Sequence, residues 1–367
     1  MLVMDDGWFG KRDDDNSGLG DWFVNEKKLG GTLGNLIKRI NDLGVKFGIW
    51  IEPEMVSEDS DLYRKHPDWA LTVPGRNPVR SRNQLVLDFS RKEVVDEIYD
   101  QICKVLDQGN IEYVKWDMNR SLMDVYSSVT RDQGRVLHDY VLGLYDFLER
   151  LVQRYPNLLI EGCSGGGGRF DAGMMYYTPQ IWCSDNTDAI DRLRIQYGTS
   201  FGYPVSVVGS HVSAVPNHQT GRKTPLHTRG VVAMSGTFGY ELNLMKLSEE
   251  ESRRSESKSQ NIRAMRRSFR MDCTIVSQIR QQKKSVHGSL CIQMRKNKVS
   301  SLNIVMQVIH GNMTVNYVKL QGLEETAVYR EEKSGKRYTG AALMYGGMPL
   351  PIEPGEYQAY QYCFVKE

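Results

Sequence analysis

Tyr113-Val114-Lys115-Trp116-Asp117-Met118-Asn119-Arg120 decides the fold of this chain. The β-branched and aromatic run at 111–114 predicts a buried strand, which stops abruptly at a cation, an indole and a carboxylate. Polar groups gathered at a strand's exit mark a site. Asp117 has Lys115 and Arg120 close by in sequence, and neighbouring positive charge favours the ionised carboxylate that a covalent nucleophile needs. The competing interpretation is an ion pair that only ties off the strand.

The same arrangement recurs on both sides. Leu2-Val3-Met4 is apolar and gives way to Asp5-Asp6-Gly7-Trp8. Helical spacing of Leu33, Leu36, Ile37 and Ile40 leads past Gly44 into an apolar run at 46–51 that ends in Glu52-Pro53-Glu54. A second helical stretch, 94–106, precedes the Asp117 strand, and a third, 136–154, leads through Pro156 into a run at 158–163. Further strand-like runs fall at 181–185, 205–210 and 238–241. Strands alternating with helices imply an α/β fold with a parallel sheet. Polar residues at every strand's C-terminal end are the habit of a (β/α)8 TIM-type barrel, whereas a doubly wound sheet collects its site at one switch point.

Seven strand signals, with Met1 falling almost inside the first, predict a barrel that lacks its first strand. The expected organisation is a catalytic barrel over 1–250 (strands 2 to 8), an anomalous basic segment over 251–300 and a C-terminal antiparallel β-sandwich over 301–367. From Ser252 to Lys298 thirteen Lys and Arg stand against Glu256 and Asp272, on a chain whose net charge is +2. The rest of the chain is therefore acidic, and nucleic-acid binding is not expected. That segment reads either as disordered or as translated in a shifted frame, since it lacks the apolar spacing of a helix that could close a barrel. An open barrel edge compounds the problem, so the chain alone is expected to fold poorly and to be rescued by an upstream segment.

Hydrophobic residues at 40% and charged residues at 25% are those of an ordinary globular protein, and 367 residues suffice for one large domain and one small one. No run is long and apolar enough to span a bilayer, and the start does not have the form of a secretory leader. The six cysteines are scattered without metal spacing, which fits reduced thiols in a cytoplasmic protein.

Glycoside hydrolysis needs two carboxyl groups flanking one bond, and this chain offers Asp117 and Asp185 at the ends of two different strands. Asp185, in Trp182-Cys183-Ser184-Asp185-Asn186-Thr187-Asp188, has no adjacent cation and is the better candidate for a carboxyl that keeps its proton and acts as acid. Asp188 and Asp191 compete, but both suit the first turn of a helix. Asp5 and Asp6 could accept hydrogen bonds from sugar hydroxyls. Trp8, Trp50, Trp116 and Trp182 each stand at a strand end, where four indoles suggest a stacking platform, although burial is the usual fate of tryptophan. Cys163-Ser164-Gly165-Gly166-Gly167-Gly168 lacks the Lys-Ser/Thr of a phosphate loop, and its glycines are read as allowing a bulky ligand close to the backbone. His211 and His218 lack zinc spacing, so no metal is expected.

Five motifs in order now resemble a known family. Asp5-Asp6-Gly7-Trp8-Phe9-Gly10, Trp50-Ile51-Glu52-Pro53-Glu54-Met55, Lys115-Trp116-Asp117-Met118-Asn119-Arg120, Cys163-Ser164-Gly165-Gly166-Gly167 and Ser184-Asp185-Asn186-Thr187-Asp188 are similar to the α-galactosidases of glycoside hydrolase family 36. The resemblance covers roughly 1–250. It implies a retaining exo-α-galactosidase acting on melibiose- and raffinose-type oligosaccharides without cofactor, with Asp117 as nucleophile and Asp185 as acid/base. It further implies galactose contacts from Asp5, Asp6, Arg82, Lys115, Cys163, Gly165 and Gly166, with Trp50 packing near the sugar. The family carries an N-terminal β-sandwich, which this chain is expected to lack. Galactosyl transfer of the raffinose-synthase type and a non-catalytic remnant are the alternatives; neither a nucleic acid nor a membrane is expected as partner, and homo-oligomer formation is left open.

Overall fold

The run around Val114 is a strand over Ile111–Trp116, two residues longer than its β-branched start, so Asp117 is the first residue beyond it. The computed structural model describes the chain apart from residues 254, 257–285, 292–298, 307–314 and 352, and divides it into two units, Met1–Trp182 and Cys183–Glu367.

The first unit runs β1 (Leu2–Met4), α1 (Glu26–Leu29), α2 (Leu33–Asp42), β2 (Phe47–Ile51), β3 (Met55–Val56), α3 (Asp61–Lys65), β4 (Leu85–Val86), α4 (Lys92–Leu106), β5 (Ile111–Trp116), α5 (Val136–Arg154), β6 (Leu159–Gly162), α6 (Ala172–Tyr177) and β7 (Gln180–Ile181). Its sheet has the order β1-β2-β5-β6-β7, and every neighbouring pair is parallel. Phe47-Gly48-Ile49-Trp50-Ile51 is buried throughout, as expected for a parallel strand covered on both faces. Apolar positions of α4 and α5 recur at helical spacing and are buried: Val94, Ile98, Ile102 and Val105 on one, Val136, Tyr140, Leu144, Phe147 and Leu151 on the other. Phe147 meets Trp116 edge-to-face at 5.0 Å, which joins α5 to the end of β5. The register sets Ile51 beside Trp116 and Trp116 beside Gly162, so the C-terminal ends of β2, β5 and β6 are level. Whatever follows each strand therefore shares one edge of the sheet.

The second unit holds α7 (Ala189–Thr199), β8 (Gly209–Ser213), α8 (Leu226–Ala233) and β9 (Thr237–Glu241), with β8 and β9 parallel. Next come β10 (Val286–Cys291), β11 (Val299–Met306), β12 (Tyr317–Val318), β13 (Val328–Glu331), β14 (Arg337–Thr339), β15 (Met348–Pro349) and β16 (Gln358–Lys366). These form a five-stranded antiparallel sheet, β10-β11-β16-β13-β14, and a β12-β15 pair. Leu302, Ile304 and Phe364 of the large sheet share a core with Val318 and Met348 of the pair, a small two-sheet domain. Ile190 and Leu193 of α7 and Val231 and Val232 of α8 pack with Val305 and Ala359, so these helices and the antiparallel sheet belong to one compact unit, whereas the sequence suggested a boundary near 250.

Two expectations shift. The run at 205–210 is a 3-10 turn over Val205–Val207 followed by β8, because Val207 N–H and Val208 N–H bond back to Pro204 and Val205 and close a turn. The basic stretch was expected to lack strand structure, yet Val286–Cys291 pairs with β11 over six residues. Most of that stretch lies outside the described residues.

Candidate active site

Asp117 leaves β5 with its amide N–H on the Ile51 carbonyl at 2.8 Å, which seats it against the end of β2. It is 5% exposed. Its Oδ2 accepts the Trp50 Nε1–H at 3.1 Å and its Oδ1 the Met118 amide at 2.9 Å. From the end of β6, the Cys163 thiol is a further side-chain partner. Burial and then the charge of Asp117 push that thiol up, so Cys163 stays protonated and donates. Lys115 Nζ reaches Asp5 at 3.2 Å from the end of β1. Burial works against the Lys115 ammonium, but the carboxylates of Asp5, Asp117 and Glu161 outweigh it and hold it above its ordinary range. Four adjacent strand ends thus supply the surroundings of one carboxylate: Asp5, Trp50, Lys115 and Cys163.

Arg120 is not part of that group. Its guanidinium turns to the Val79 and Gln84 carbonyls at 2.9 and 2.7 Å, fastening the 79–84 loop, so only Lys115 of the two neighbouring cations faces Asp117. Arg82 sits exposed on that loop, in a tight turn where its φ is +51°. Asp6 is held by Arg12, a 5%-exposed cation at 2.8 Å that the sequence did not single out among the acids around it.

The tryptophans are buried and do not form an open platform. Trp8 packs on Phe9 and Trp22, and Trp116 lies in the core with its Nε1–H on Glu54 at 2.8 Å. Trp50 is the indole whose N–H reaches Asp117. Gly165 and Gly166 adopt φ of +52° and +85°, where Ser164 N–H bonds the Gly166 carbonyl at 2.7 Å; the turn itself demands them. Ser164 Oγ donates to the Met118 carbonyl at 3.0 Å, tying this loop to the Asp117 turn.

Sequence reasoning missed two buried carboxylates. Glu54, fully buried, accepts both Arg169 guanidinium nitrogens at 2.7 Å, the Tyr140 hydroxyl at 2.6 Å and the Trp116 indole. Burial opposes its charge, yet Arg169, Tyr140 and Trp116 hold it below the usual carboxylate range. Glu52, 1% exposed, accepts Gln84 Nε2 at 2.7 Å and the Asn119 amide. Burial first, and then Asp117, push its carboxyl up to about 7.

A carboxyl that binds its proton more tightly folded than unfolded contributes stability that is complete below the ordinary range near 4.5 and is lost as pH rises through about 7. The shift corresponds to about 3 kcal/mol. Urea midpoints followed by tryptophan fluorescence should therefore fall between pH 5 and pH 8, and Glu52→Gln should flatten that fall. Identical pH slopes in the two proteins would exclude Glu52 as their source.

In the second unit, Asp185 lies half-buried in the turn before α7. Arg192, 3% exposed, shapes the turn by donating to the Asn186 and Ser184 carbonyls, both at 2.7 Å. Asp188 is consumed as the helix cap: its Oδ1 accepts the Ile190 and Asp191 amides, and Thr220 and Arg222 hold it from the side. Asp191 is in the first turn of α7, as its position in the sequence suggested. His211 faces Glu241 across β8 and β9 at 3.8 Å.

Residues 1–272 match the Melibiase family model, and residues 294–364 match the glycosyl hydrolase family 36 C-terminal domain. The bifunctional alpha-galactosidase/sucrose kinase AgaSK of Mediterraneibacter gnavus is 59% identical over 372 residues, covering 100% of this chain and 38% of that protein. Alpha-galactosidase Mel36A of Lactobacillus acidophilus is 48% identical over 369 residues, covering 99% and 50%. The solved galactosidase domain of AgaSK superposes with a TM-score of 0.95 at 58% identity, over 100% of this chain and 50% of that one. A variant of alpha-galactosidase AgaA from Geobacillus stearothermophilus, solved in complex with raffinose, gives 0.95 at 44% identity over 100% and 51%. The chain spans about half or less of the length of these relatives.

Proposed function

The chain belongs to the melibiase family, the α-galactosidases of glycoside hydrolase family 36, and on that premise we propose that it is a retaining exo-α-galactosidase. One observation carries this: a buried carboxylate, Asp117, at a parallel strand's exit, held by Trp50 and Cys163 from the two neighbouring strand ends and faced by Lys115 of its own strand. We assign the catalytic part to a (β/α)8 barrel, a reading supported by the parallel β1-β2-β5-β6-β7 sheet of the first unit and by the parallel β8-β9 pair of the second. Cysteines scattered through the sequence without metal spacing support a cytoplasmic setting. No described helix is long and apolar enough to cross a membrane.

In the proposed reaction Asp117 attacks the anomeric carbon of a terminal α-galactoside while Asp185 gives its proton to the departing oxygen. The C1–O bond to the aglycone breaks and an ester to Asp117 forms. Asp185, now a base, takes a proton from water, whose oxygen displaces Asp117 and restores the α configuration. Lys115, Cys163, Arg82, Trp50, Gly165 and Gly166 are assigned to the sugar, and Asp5 and Asp6 to its 4- and 6-hydroxyls. Asp188, already capping α7, is a poor rival to Asp185.

Two outcomes test these assignments. Asp185→Ala should slow substrates with poor leaving groups far more than activated aryl galactosides, because only the former need a proton at departure; equal losses would remove Asp185 from the role. Sites built to pair a hydroxyl reject an analogue that misplaces it, so nitrophenyl α-glucoside should be turned over at least roughly a hundredfold less efficiently than the galactoside. Comparable kcat/KM on the two sugars would contradict the galactose assignment.

A further inference from the structure

We propose that Glu52 is a positioning residue for the nucleophile, its carboxyl holding the 117–120 turn at the Asn119 amide so that Asp117 is presented in one orientation. The role rests on Asp117 being the nucleophile. Glu52 is the first residue past β2, and Trp50 stands two positions earlier, on the same side of the strand. Trp50 takes the carboxylate of Asp117 and Glu52 takes the N–H of Asn119, so a single strand end grips the turn at two points. Gln84 completes the hold: its side chain donates to Glu52 at 2.7 Å, and its own carbonyl accepts Arg120 at 2.7 Å. All these groups except Asn119 are more than nine-tenths buried, and a turn so enclosed has little room to relax.

A neutral amide could accept the same hydrogen bonds. A carboxyl here instead places two acids on one buried turn and couples their charges. Asp117 is the charged group that faces Glu52; Gln84 and Asn119 carry none. Lys115 is drawn to Asp5, and Arg120 is spent on the Val79 and Gln84 carbonyls. Loss or gain of the Glu52 proton therefore changes the strength of the Asn119 and Gln84 bonds, and that change passes to the Trp50–Asp117 contact.

The test reads that contact with and without turnover. The Trp50 indole N–H resonance, assigned by its disappearance in Trp50→Phe, is followed from pH 5 to 9 in the wild-type chain and in Glu52→Gln. A step with a midpoint near 7 in the wild type and none in the variant is expected, the Glu52 carboxyl being held at about 7. A flat wild-type signal, or the same step in both, overturns the proposal. In parallel, Glu52→Ala should lower kcat on nitrophenyl α-galactoside by roughly 10- to 100-fold, the scale of a misplaced reacting group, with KM nearly unchanged. Glu52→Gln, which keeps an acceptor oxygen, should recover part of that loss; unchanged kcat in both variants, or equal loss in both, again overturns it. A wild-type chain inactive on every α-galactoside would refute the proposed function, while the indole titration would still decide the role of Glu52.

Discussion

Asp117→Ala is expected to fold as the wild type does and to lose at least about three orders of magnitude in kcat on nitrophenyl α-galactoside, since the covalent step has no other nucleophile to use. Folding should survive because the N–H donors to the carboxylate are neutral single groups, each costing only about 1–3 kcal/mol when left unpaired. The Met118 amide is a single N–H, and the Trp50 indole faces the small cavity that opens. That cavity also admits an anion. Azide should restore part of the rate on the activated substrate and give β-galactosyl azide, the product of a single inverting displacement. Circular dichroism establishes the fold and the anomeric configuration of the azide adduct establishes the role. Wild-type kcat in Asp117→Ala would place the nucleophile elsewhere.

Arg169→Met should have the largest effect on stability. The guanidinium is the counter-charge of Glu54, which has no exposure and keeps its charge because Arg169, Tyr140 and Trp116 all donate to it. Removing one member of a buried pair strands the other, at a cost of about 3–5 kcal/mol. Replacing both by neutral groups costs much less, so Glu54→Gln combined with Arg169→Met should be more stable than Arg169→Met alone. All six tryptophans lie in residues 1–182, so urea unfolding followed by their fluorescence reports on the first unit. Additive losses in the double variant would show that the pair is not coupled. Because Arg169 follows the glycine turn and Glu54 follows β2, the same pair fixes the far end of the loop that begins at Cys163. Activity of Arg169→Met should fall with its stability.

The parallel strands of the first unit were legible because short runs rich in β-branched and aromatic residues, such as the buried Phe47–Ile51, are flanked by helices of clear 3.6-residue spacing. Strand-end chemistry was legible for the same reason: once strands are parallel neighbours, Asp5, Trp50, Lys115, Asp117 and Cys163 must share an edge. Side-chain direction was not. Arg120 is three residues from Asp117, but the chain has turned by then and the guanidinium meets the carbonyls of residues 79 and 84. The Glu54–Arg169 pair spans 115 positions, and no spacing rule signals a contact made by tertiary packing. The four indoles at strand ends misled because a position at the edge of a sheet says nothing about which layer covers it; Trp116 is covered by α5. At 205–210, Pro204 and two backbone bonds made a turn of a β-branched run, and pairing with β9 begins the strand only at Gly209.

As the proposed nucleophile, Asp117 forms a covalent bond to the galactose it removes. Incubating the protein with an activated fluorinated α-galactoside, whose glycosyl-enzyme ester turns over slowly, and sequencing the labelled peptide by mass spectrometry tests it directly. One sugar is expected on the peptide containing Lys115-Trp116-Asp117-Met118, attached at Asp117, with none in Asp117→Ala. A label on any other carboxylate, or an active enzyme that releases β-galactose as its first product and never acquires the label, would contradict it.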